Sequence, residues 1–336
     1  LPYDLKARAD RSTRDIRLQQ FISRFTNEKS QARKGALAQA FGSRTEAMRD
    51  LAAEIKQHTL DHLDYYLDQF IDNAKKTGTT VHFAKDGDQA NAIAVAIARN
   101  HRCRLCVKSK SMVTEETRLV PQLQAAGCET IETDLGEFII QLDHDAPSHI
   151  VAPMIHKDKT AVARVFEREL GAEYNEDPEQ LTQIARRHLR QKYRQADLGV
   201  TGGNFLVAES GSVVLCTNEG NGRFCTSAPK IHVALVGIEK LVPGFEHLAV
   251  LLKLLSRSST GQVLTCYTQI ITGPKRAHEH DGPEQLHLIL LDNGRTEVLR
   301  PDTRAILRCI RCGACLNVCP VYRKIGGHAY GSVYSG

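Results

Sequence analysis

The sequence contains no apolar run that approaches the roughly 20 residues a helix needs to cross a bilayer. It shows no secretory signal pattern of basic, apolar and small residues, and no low-complexity tract. The net charge is only +5 over 336 residues, and basic residues are mixed with acidic ones rather than forming a stripe with aromatics. These absences argue against a transmembrane protein, with peripheral membrane contact left open, and against a nucleic-acid-binding protein.

The length and composition predict a packed chain with more than one domain. With 336 residues the chain is long enough for two domains, and three remain an alternative. Ten cysteines are too few and too clustered for a secreted disulfide scaffold. Four of them form a run whose chemistry needs reduced thiolates, so we expect a cytoplasmic protein.

Residues 1–76 are expected to form an N-terminal arm and a long amphipathic helix. Residues 1–30 are polar with weak periodicity, which predicts an extended or loosely helical arm. From Thr45 to Lys76, apolar residues recur at spacings of three and four, which predicts one apolar helix face. Its members are Leu60, Leu63, Leu67, Phe70, Ile71 and Ala74. The simplest interpretation is a docking face within the protein, and a partner-binding helix is the alternative.

Residues 77–300 alternate short apolar runs with helical stretches. Strands are predicted at 80–83, 104–107, 129–133, 149–153, 232–237, 265–271 and 286–292. Helices are predicted near 87–100, 114–126, 156–170, 178–195 and 246–256. Alternating strands and helices indicate βαβ units, so we expect an α/β domain with a mostly parallel sheet covered on both faces.

The sequence "RCIRCGACLNVCP" (308–320) carries the most specific signal. Its cysteines are Cys309, Cys312, Cys315 and Cys319, with Pro320 directly after the last. Soft thiolates at this spacing are typical ligands of iron–sulfur clusters. A zinc site, which usually shows two separated pairs, and a chance group of buried thiols are the rival interpretations.

The cysteine count predicts an incomplete module in residues 301–336. In two-cluster ferredoxins the fourth cysteine of such a run, here Cys319, binds the other cluster, while Cys309, Cys312 and Cys315 bind the first. The six remaining cysteines do not form a second run. We therefore expect the second half to lie beyond Gly336, with two 4Fe-4S clusters in the full-length protein and one at most, or none, in residues 1–336.

The central segment "VTGGNFLVAESGSVVLCTNEGNGRF" (200–224) predicts a hairpin between two polar loops. Such loops at strand ends are where ligands bind in open α/β sheets. Exposed N–H groups together with Arg223 would suit a carboxylate or phosphate, and Glu209 and Glu219 could act as a base or as polar anchors. The candidate cleft residues are Thr201, Gly202, Gly203, Asn204, Glu209, Asn218, Glu219 and Arg223. Two ordinary turns explain the same residues equally well.

Two further groups of metal-binding residue types have simpler explanations. Cys103 and Cys106 form a lone CxxC at a predicted strand, where inward-facing core cysteines are the favoured interpretation. The segment "RAHEHDGPEQLH" (276–287) gathers three histidines and Asp281, and a polar loop explains it better than a zinc site.

Several segments together resemble the lactate utilization protein B family. They are "CVKSKSMVTEE" (106–116), "ETDLGEFIIQL" (132–142), "PSHIVAPMIHKDK" (147–159), "TGGNFLVAESGSVVLCTNEGNGR" (201–223), "HVALVGIEKLVP" (232–243) and "CIRCGACLNVCPVYRKIGGHAYGSVY" (309–334). The resemblance covers the chain from about residue 30 onward. It implies a Rossmann-like LUD domain, similar to the CoA-transferase and sugar-phosphate-isomerase group, followed by part of a ferredoxin-like module.

The resemblance implies the iron–sulfur subunit of a bacterial system that oxidises L-lactate to pyruvate. Its partners would be a cysteine-rich subunit and a second LUD subunit. In the family pattern Cys309, Cys312 and Cys315 match ligands of one cluster and Cys319 matches a ligand of the other. The family's second cysteine run is absent here, and the family implies no catalytic residue in the LUD domain.

Two functional hypotheses follow. The first is a non-catalytic electron carrier, favoured because "GVTGGN" precedes a strand rather than a phosphate-binding helix and no flavin signature is present. The second is a LUD domain that itself binds and turns over a small carboxylate or phosphate, with the clusters as a redox relay. A redox-sensing or scaffold protein, in which an inert LUD domain only docks partners, is a third, weaker alternative.

Overall fold

The computed structural model describes residues 4–331. Its strands are β1 (Thr80–Ala84), β2 (Leu105–Lys108), β3 (Glu129–Glu132), β4 (Leu198–Thr201), β5 (Phe205–Val207), β6 (Ser212–Thr217), β7 (Ile231–Gly237), β8 (Leu241–Val242), β9 (Tyr267–Ile271) and β10 (Gln285–Leu291). Its α-helices are α1 (Leu5–Arg14), α2 (Ile16–Phe41), α3 (Thr45–Asp61), α4 (Leu63–Lys76), α5 (Gly87–Asn100), α6 (Met112–Glu116), α7 (Leu119–Ala125), α8 (Leu135–Leu142), α9 (Lys159–Leu170), α10 (Pro178–Gln195), α11 (Asn221–Ser227), α12 (Phe245–Ser259), α13 (Ala314–Val318) and α14 (Tyr322–Ile325).

A six-stranded parallel sheet forms the centre, in the order β1-β10-β7-β4-β2-β3. The strand β7 is buried along its whole length, and its side chains alternate between two cores. Val233 and Leu235 pack with α5 and α7 on one face, whereas Ala234 and Val236 pack with α4 on the other. Burial on both faces explains the continuous apolar run of this strand. The predicted α/β class with a mostly parallel sheet is confirmed.

A second, four-stranded sheet has the order β8-β5-β6-β9. The predicted hairpin is present as the antiparallel pair β5 and β6, which turns at Gly211. Gly211 has φ +68°, and a Cβ at this position would lie 2.2 Å from the backbone nitrogen of Ala74. Glycine is therefore required both by the turn and by the close approach of α4. The α2, α3 and α12 helices cover the other side of this sheet.

The order in which the chain adds strands to the main sheet reverses between β2 and β4, which are parallel neighbours. From β2 the chain continues outward to β3, whereas from β4 it continues to β7 and β10 on the opposite side. In open parallel sheets, a crevice forms at the carboxyl ends of the strands where the order reverses. The segments that follow β2, β3 and β4 therefore meet at one edge.

The structure corrects several predicted elements. The segment 149–153 is a loop rather than a strand, because His149 is buried as a hydrogen-bond hub. The predicted helix 114–126 is broken into α6 and α7 at Arg118, which has φ +55°. The predicted polar loop 217–223 becomes helical from Asn221, and α8 was not predicted.

The N-terminal segment is more helical than expected. Instead of an extended or loosely helical arm, the described residues up to Phe41 form α1 and the 26-residue α2. The predicted helix between Thr45 and Lys76 is divided into α3 and α4 at His62. The α2 helix packs against α12, α13 and α14, so it reaches both the second sheet and the cysteine run.

The predicted domain boundaries after residues 76 and 300 stay predictions. Residues 1–3 of the first predicted domain and residues 332–336 of the last lie outside the described residues. Within residues 4–331, no helix is both long enough and apolar enough to span a membrane.

Candidate functional site

The cysteine run forms a tight loop followed by the short helix α13. Two residues of the loop, Arg311 and Gly313, have left-handed backbone conformations with φ +56° and +77°. A Cβ at Gly313 would lie 2.7 Å from the Ile150 side chain, so glycine allows the loop to pack on the 149–153 loop. Cys315 is exposed and the other three cysteines of the run are half-buried.

Backbone N–H groups point at two of the sulfur atoms. Arg311 N donates to Cys309 Sγ at 3.3 Å, and Tyr322 N donates to Cys319 Sγ at 3.4 Å. Burial raises the pKa of the Cys312 thiol, and a backbone hydrogen bond from Ala314 opposes this shift. Such N–H donors stabilise thiolates and tune iron–sulfur centres.

Two buried side chains anchor the run to the α/β domain. Tyr322 of α14 is completely buried, and its hydroxyl donates to Ser148 O at 2.5 Å. His149 Nε2 lies 3.2 Å from Asn317 Oδ1 of α13. The run is therefore fixed to the domain instead of being a separate appendage.

A group of buried charges lies beside Cys309. We call it the charged layer, and its members are Lys56, Lys240, Arg295, Arg311, Glu239 and Glu116. Arg295 binds Glu239 at 2.5 Å and Glu116 at 3.0 Å. Arg311 lies 3.8 Å from Glu116, and Lys240 lies 3.7 Å from Glu239. With all four basic side chains protonated, the two carboxylates leave two positive charges in excess.

The pKa values of the layer reflect this excess. Burial and the neighbouring Lys240 lower the pKa of Lys56 to about 7. Burial likewise lowers the pKa of Lys240. Burial by itself would raise the pKa of Glu239, yet the surrounding cations lower it to about 2. Buried excess charge is costly unless a counter-charge is present. An iron–sulfur centre with thiolate ligands is anionic, so these residues fit that cofactor.

A cleft of about 440 Å³ lies at the carboxyl edge of the main sheet and reaches Arg311 and Cys312. Lys110, which follows β2, lies 3.1 Å from both Asp134 Oδ2 and Val151 O. Burial acts to lower the pKa of Lys110, but Asp134 and other carboxylates raise it above its usual value. The cleft therefore places a charged lysine beside the cysteine run.

The structure brings only three of the eight predicted cleft residues into this cleft. These are Asn204, Asn218 and Glu219. Glu219 accepts a hydrogen bond from Leu135 N at 3.0 Å, and burial and Asp134 raise its pKa. Asn204 Oδ1 accepts from Cys216 N at 2.8 Å, and the backbone N–H of Asn204 donates to Val214 O.

The other predicted cleft residues lie elsewhere. Thr201 is buried and its hydroxyl lies 2.8 Å from His232 Nε2. Gly202 and Gly203 pack against side chains, because a Cβ there would meet Ser111 or Val213 and Val236. Glu209 caps α12 by accepting from Phe245 N, and Arg223 is exposed on α11. The two polar loops therefore do not form one anion-binding nest.

Sequence reasoning missed Lys110, Asp134 and the charged layer. Lys110 and Asp134 each come two residues after a strand, at the edge where the parallel strands end. Glu239 and Lys240 are charges inside the apolar stretch "VGIEKLVP". The sequence signal that could have revealed the charged layer is this pair of opposite charges within an apolar run, because such a run is usually buried.

A second buried ionic group lies under the cleft. Lys108 Nζ lies 2.7 Å from Glu132, 3.2 Å from Glu115 and 3.8 Å from Glu137. Burial alone would lower the pKa of Lys108, but these carboxylates raise it well above its usual value. Burial, with Glu132 nearby, raises the pKa of Glu137 well above that of an exposed carboxyl group. The lysine thus holds three carboxyl groups together in the interior.

The remaining candidate metal-binding groups have structural roles. Cys103 and Cys106 are buried in the core, and burial raises the pKa of both thiols. His278, His280 and Asp281 are exposed in a loop, whereas His287 lies on β10 next to His82.

Asp145, His156 and His328 are residue types that bind metal ions, and they lie close together. The ligand atoms of Asp145, His156 and His328 lie within 4.8 Å of one another. Their polar atoms are already used: His156 bonds Asp145 and Ser148, Lys157 lies 2.6 Å from Asp145, and His328 bonds a backbone carbonyl. These contacts explain the trio without a metal ion.

The fold and the cysteine run together define a class: an α/β domain of the open-sheet type that carries a ferredoxin-type cysteine run. Residues 67–291 match the LUD domain, and residues 305–336 match the 4Fe-4S dicluster domain, which supports iron–sulfur binding by this segment.

The curated relatives name the family. Lactate utilization protein B of Anoxybacillus flavithermus is 50% identical over 92% of this chain and 66% of its own length. The proteins of the same name from Bacillus subtilis and Shouchella clausii are 48% and 47% identical, over 92% and 98% of this chain and 64% and 69% of their own lengths. The chain belongs to the lactate utilization protein B family, and it spans about two thirds of the length of these relatives.

A solved DUF162 family protein from Deinococcus radiodurans is also similar. It is 14% identical, with a TM-score of 0.37, and the match covers 68% of this chain and 98% of that chain.

Proposed function

We propose that this chain is an iron–sulfur electron-relay component in the oxidation of L-lactate to pyruvate. The observation that carries the proposal is the charged layer, whose excess positive charge is buried beside Cys309. Family membership supports the lactate-utilisation role, since the relatives carry that name. The cysteine loop, with its N–H donors to sulfur, supports the cofactor class.

The residues of the chain have separate roles in such a relay. A bound 4Fe-4S cluster supplies reversible one-electron chemistry. Cys309, Cys312 and Cys315 are the proposed ligands of one cluster, and Cys319 the proposed ligand of a second. The cations of the charged layer stabilise the additional negative charge of the reduced state. The exposed Cys315 faces the surface, where a redox partner could approach.

The proposed partners are the cysteine-rich subunit and the second LUD subunit of the lactate-utilisation system, in the cytoplasm. Two apolar side chains beside the Cys319 ligand support a docking role for this surface. Val318 and Val321 are 51% and 52% exposed, so they contribute apolar surface next to this ligand.

The test compares Cys312→Ser with Cys266→Ser, an exposed cysteine outside the run. We expect Cys312→Ser to lower iron and sulfide content, weaken the EPR signal of the reduced protein and abolish lactate-dependent dye reduction by the three proteins together. Cys266→Ser should behave as the wild type. Lactate turnover by this protein alone, without its two partners, would refute the relay.

The number of clusters is tested on residues 1–336 purified without oxygen. We propose that this segment holds one cluster at most, because Cys319 serves a second cluster whose other ligands lie outside it. Iron analysis and EPR check this. A stable four-iron cluster bound by all four cysteines would contradict it.

The second candidate function is binding and turnover of a small carboxylate or phosphate in the cleft. The position of Lys110 favours it, since its ammonium group lies in a cleft that extends to Cys312. Calorimetric titration with L-lactate and with inorganic phosphate tests it, comparing the wild type with Lys110→Met. Equal binding by both proteins, or binding by neither, would argue against the cleft as a substrate site.

A further inference from the structure

A groove of about 1020 Å³ lies between α10 and α11, outside the cysteine run. One wall is the face of α10 that carries Arg186, Arg190 and Arg194. The other wall includes Phe224 of α11 and Tyr267 of β9. The volume is slightly above the range of typical ligand sites, about 300–1,000 Å³.

The three arginines form a continuous cationic row. They recur every four residues, so their Cα atoms are about 6 Å apart along the helix axis. This row borders the apolar stripe of Leu181, Ala185 and Leu189, which packs α10 into the protein. It therefore lies along the edge of the groove and not on the face opposite the core.

No described residue neutralises this row. Within residues 4–331, Arg186, Arg190 and Arg194 form no ion pair, although Lys192 on the same helix pairs with Glu129 at 2.7 Å. The one carboxylate in the groove wall is Glu219, whose pKa is raised by burial and by Asp134. The groove wall therefore carries three arginines and one carboxylate, so its cations outnumber its anions.

The opposite wall presents exposed aromatic surface. Phe224 and Tyr267 are 54% and 41% exposed, and the ring of Phe224 lies 5.2 Å from that of Tyr193. Large aromatic rings are expensive to leave in water, whereas a planar ring can stack on them. Cations and stacking surfaces on facing walls suit a ligand that has both phosphates and an aromatic base.

The groove also borders the cleft that reaches the cysteine run. Leu135, Glu219 and Asn221 line both cavities. The arginine row and the cleft with Lys110 and Arg311 therefore lie on two sides of the same three residues.

We propose that the groove binds a nucleotide, with its phosphates on the arginine row and its base against Phe224 and Tyr267. An acidic peptide segment of a partner would also satisfy the arginines. The exposed rings on the facing wall favour the nucleotide, because a peptide carboxylate gains nothing from them.

The test is calorimetric titration of the purified protein with ADP, NAD and FAD, and separately with adenosine, pyrophosphate and polyglutamate. We expect at least one of the three nucleotides to bind more tightly than either adenosine or pyrophosphate. Tightest binding of ADP would indicate a free mononucleotide as the ligand, whereas tightest binding of NAD or FAD would indicate a dinucleotide cofactor.

Three variants locate the binding. Arg190→Gln and Phe224→Ala should each weaken nucleotide binding about tenfold, the value of one charged hydrogen bond or one stacking contact. Arg187→Gln is the matched control, since Arg187 lies on the same helix but lines a different hollow with Tyr174. All three side chains are exposed, so thermal unfolding should be nearly unchanged.

Three results would overturn the proposal. They are absence of binding by every nucleotide, equal loss of affinity in Arg187→Gln and Arg190→Gln, and binding of polyglutamate without binding of any nucleotide. None of these depends on the iron–sulfur centre, so the electron-relay proposal can stand or fall separately.

Discussion

Replacing His149 by asparagine should remove much of the acid sensitivity of the contact between the cysteine run and the α/β domain. His149 is 1% exposed, and its Nδ1 accepts hydrogen bonds from Val151 N at 3.0 Å and Ala152 N at 3.2 Å. Its Nε2 therefore carries the proton and donates to Asn317 Oδ1. A second proton on Nδ1 would break both backbone hydrogen bonds inside a buried site.

The magnitude follows from the pKa. Burial lowers the pKa of His149 to about 4, the Asn317 hydrogen bond opposes this, and Lys110 lowers it further. In the unfolded chain the pKa is about 6.5, so the unfolded state binds more protons below that pH. Stability is complete above pH 6.5 and falls as the pH decreases toward 4. At pH 5 the loss from this group is about 2 kcal/mol.

The assay is urea unfolding from pH 7.5 to pH 5 for the wild type and for His149→Asn. Asparagine can still accept hydrogen bonds from the two backbone N–H groups but does not titrate. At pH 5 the variant should therefore have lost about 2 kcal/mol less unfolding free energy than the wild type. His278→Asn, at an exposed loop position, should follow the wild-type profile. Parallel losses in wild type and His149→Asn would refute the assignment of this histidine as neutral and buried.

Three further substitutions, two of them with a matched control variant, test the interior and the charged layer. Lys108→Met leaves three carboxyl groups without their buried cation and should destabilise the protein by about 3–5 kcal/mol in urea unfolding, whereas Lys34→Met at an exposed position should have little effect. Gly211→Ala, where a Cβ would lie 2.2 Å from backbone, should greatly reduce soluble yield and melting temperature. Gly35→Ala, in open space on α2, should raise stability by about 1 kcal/mol, and equal effects at the two glycines would contradict the packing argument. Lys240→Met should lower the midpoint potential in an EPR-monitored redox titration, because the reduced centre loses a nearby positive charge; an unchanged potential would remove the charged layer from the relay.

Local sequence patterns predicted most elements of the main sheet. The runs at β2, β7 and β10 are short and mostly apolar, whereas the edge strands β1 and β3 are more polar and partly exposed. Burial on both faces produces such runs, so pattern and structure have the same physical cause. The α10 helix was predicted at its observed bounds because Asp177 and Pro178 mark its start.

The failures have an equally local cause. The run "HIVAP" has the composition of a strand, but none of the described strands pairs with it, and His149 instead bonds its own loop and α13. The polar arm before residue 30 showed little periodicity because α2 packs against several different elements rather than one core. Tertiary contacts decided both segments.

The sequence by itself determined the four cysteine positions, the turn glycines and the alternation of strands and helices, because spacing and backbone conformation are properties of neighbouring residues. Only the tertiary structure brought Lys56, Lys240 and Arg295 to the side of Cys309, and Lys110 to the cleft that ends at Cys312. These residues are far apart in the chain, and their charges acquire meaning through burial next to one another. The electrostatic surroundings of the cysteine run are therefore a property of the folded sheet and its covering helices.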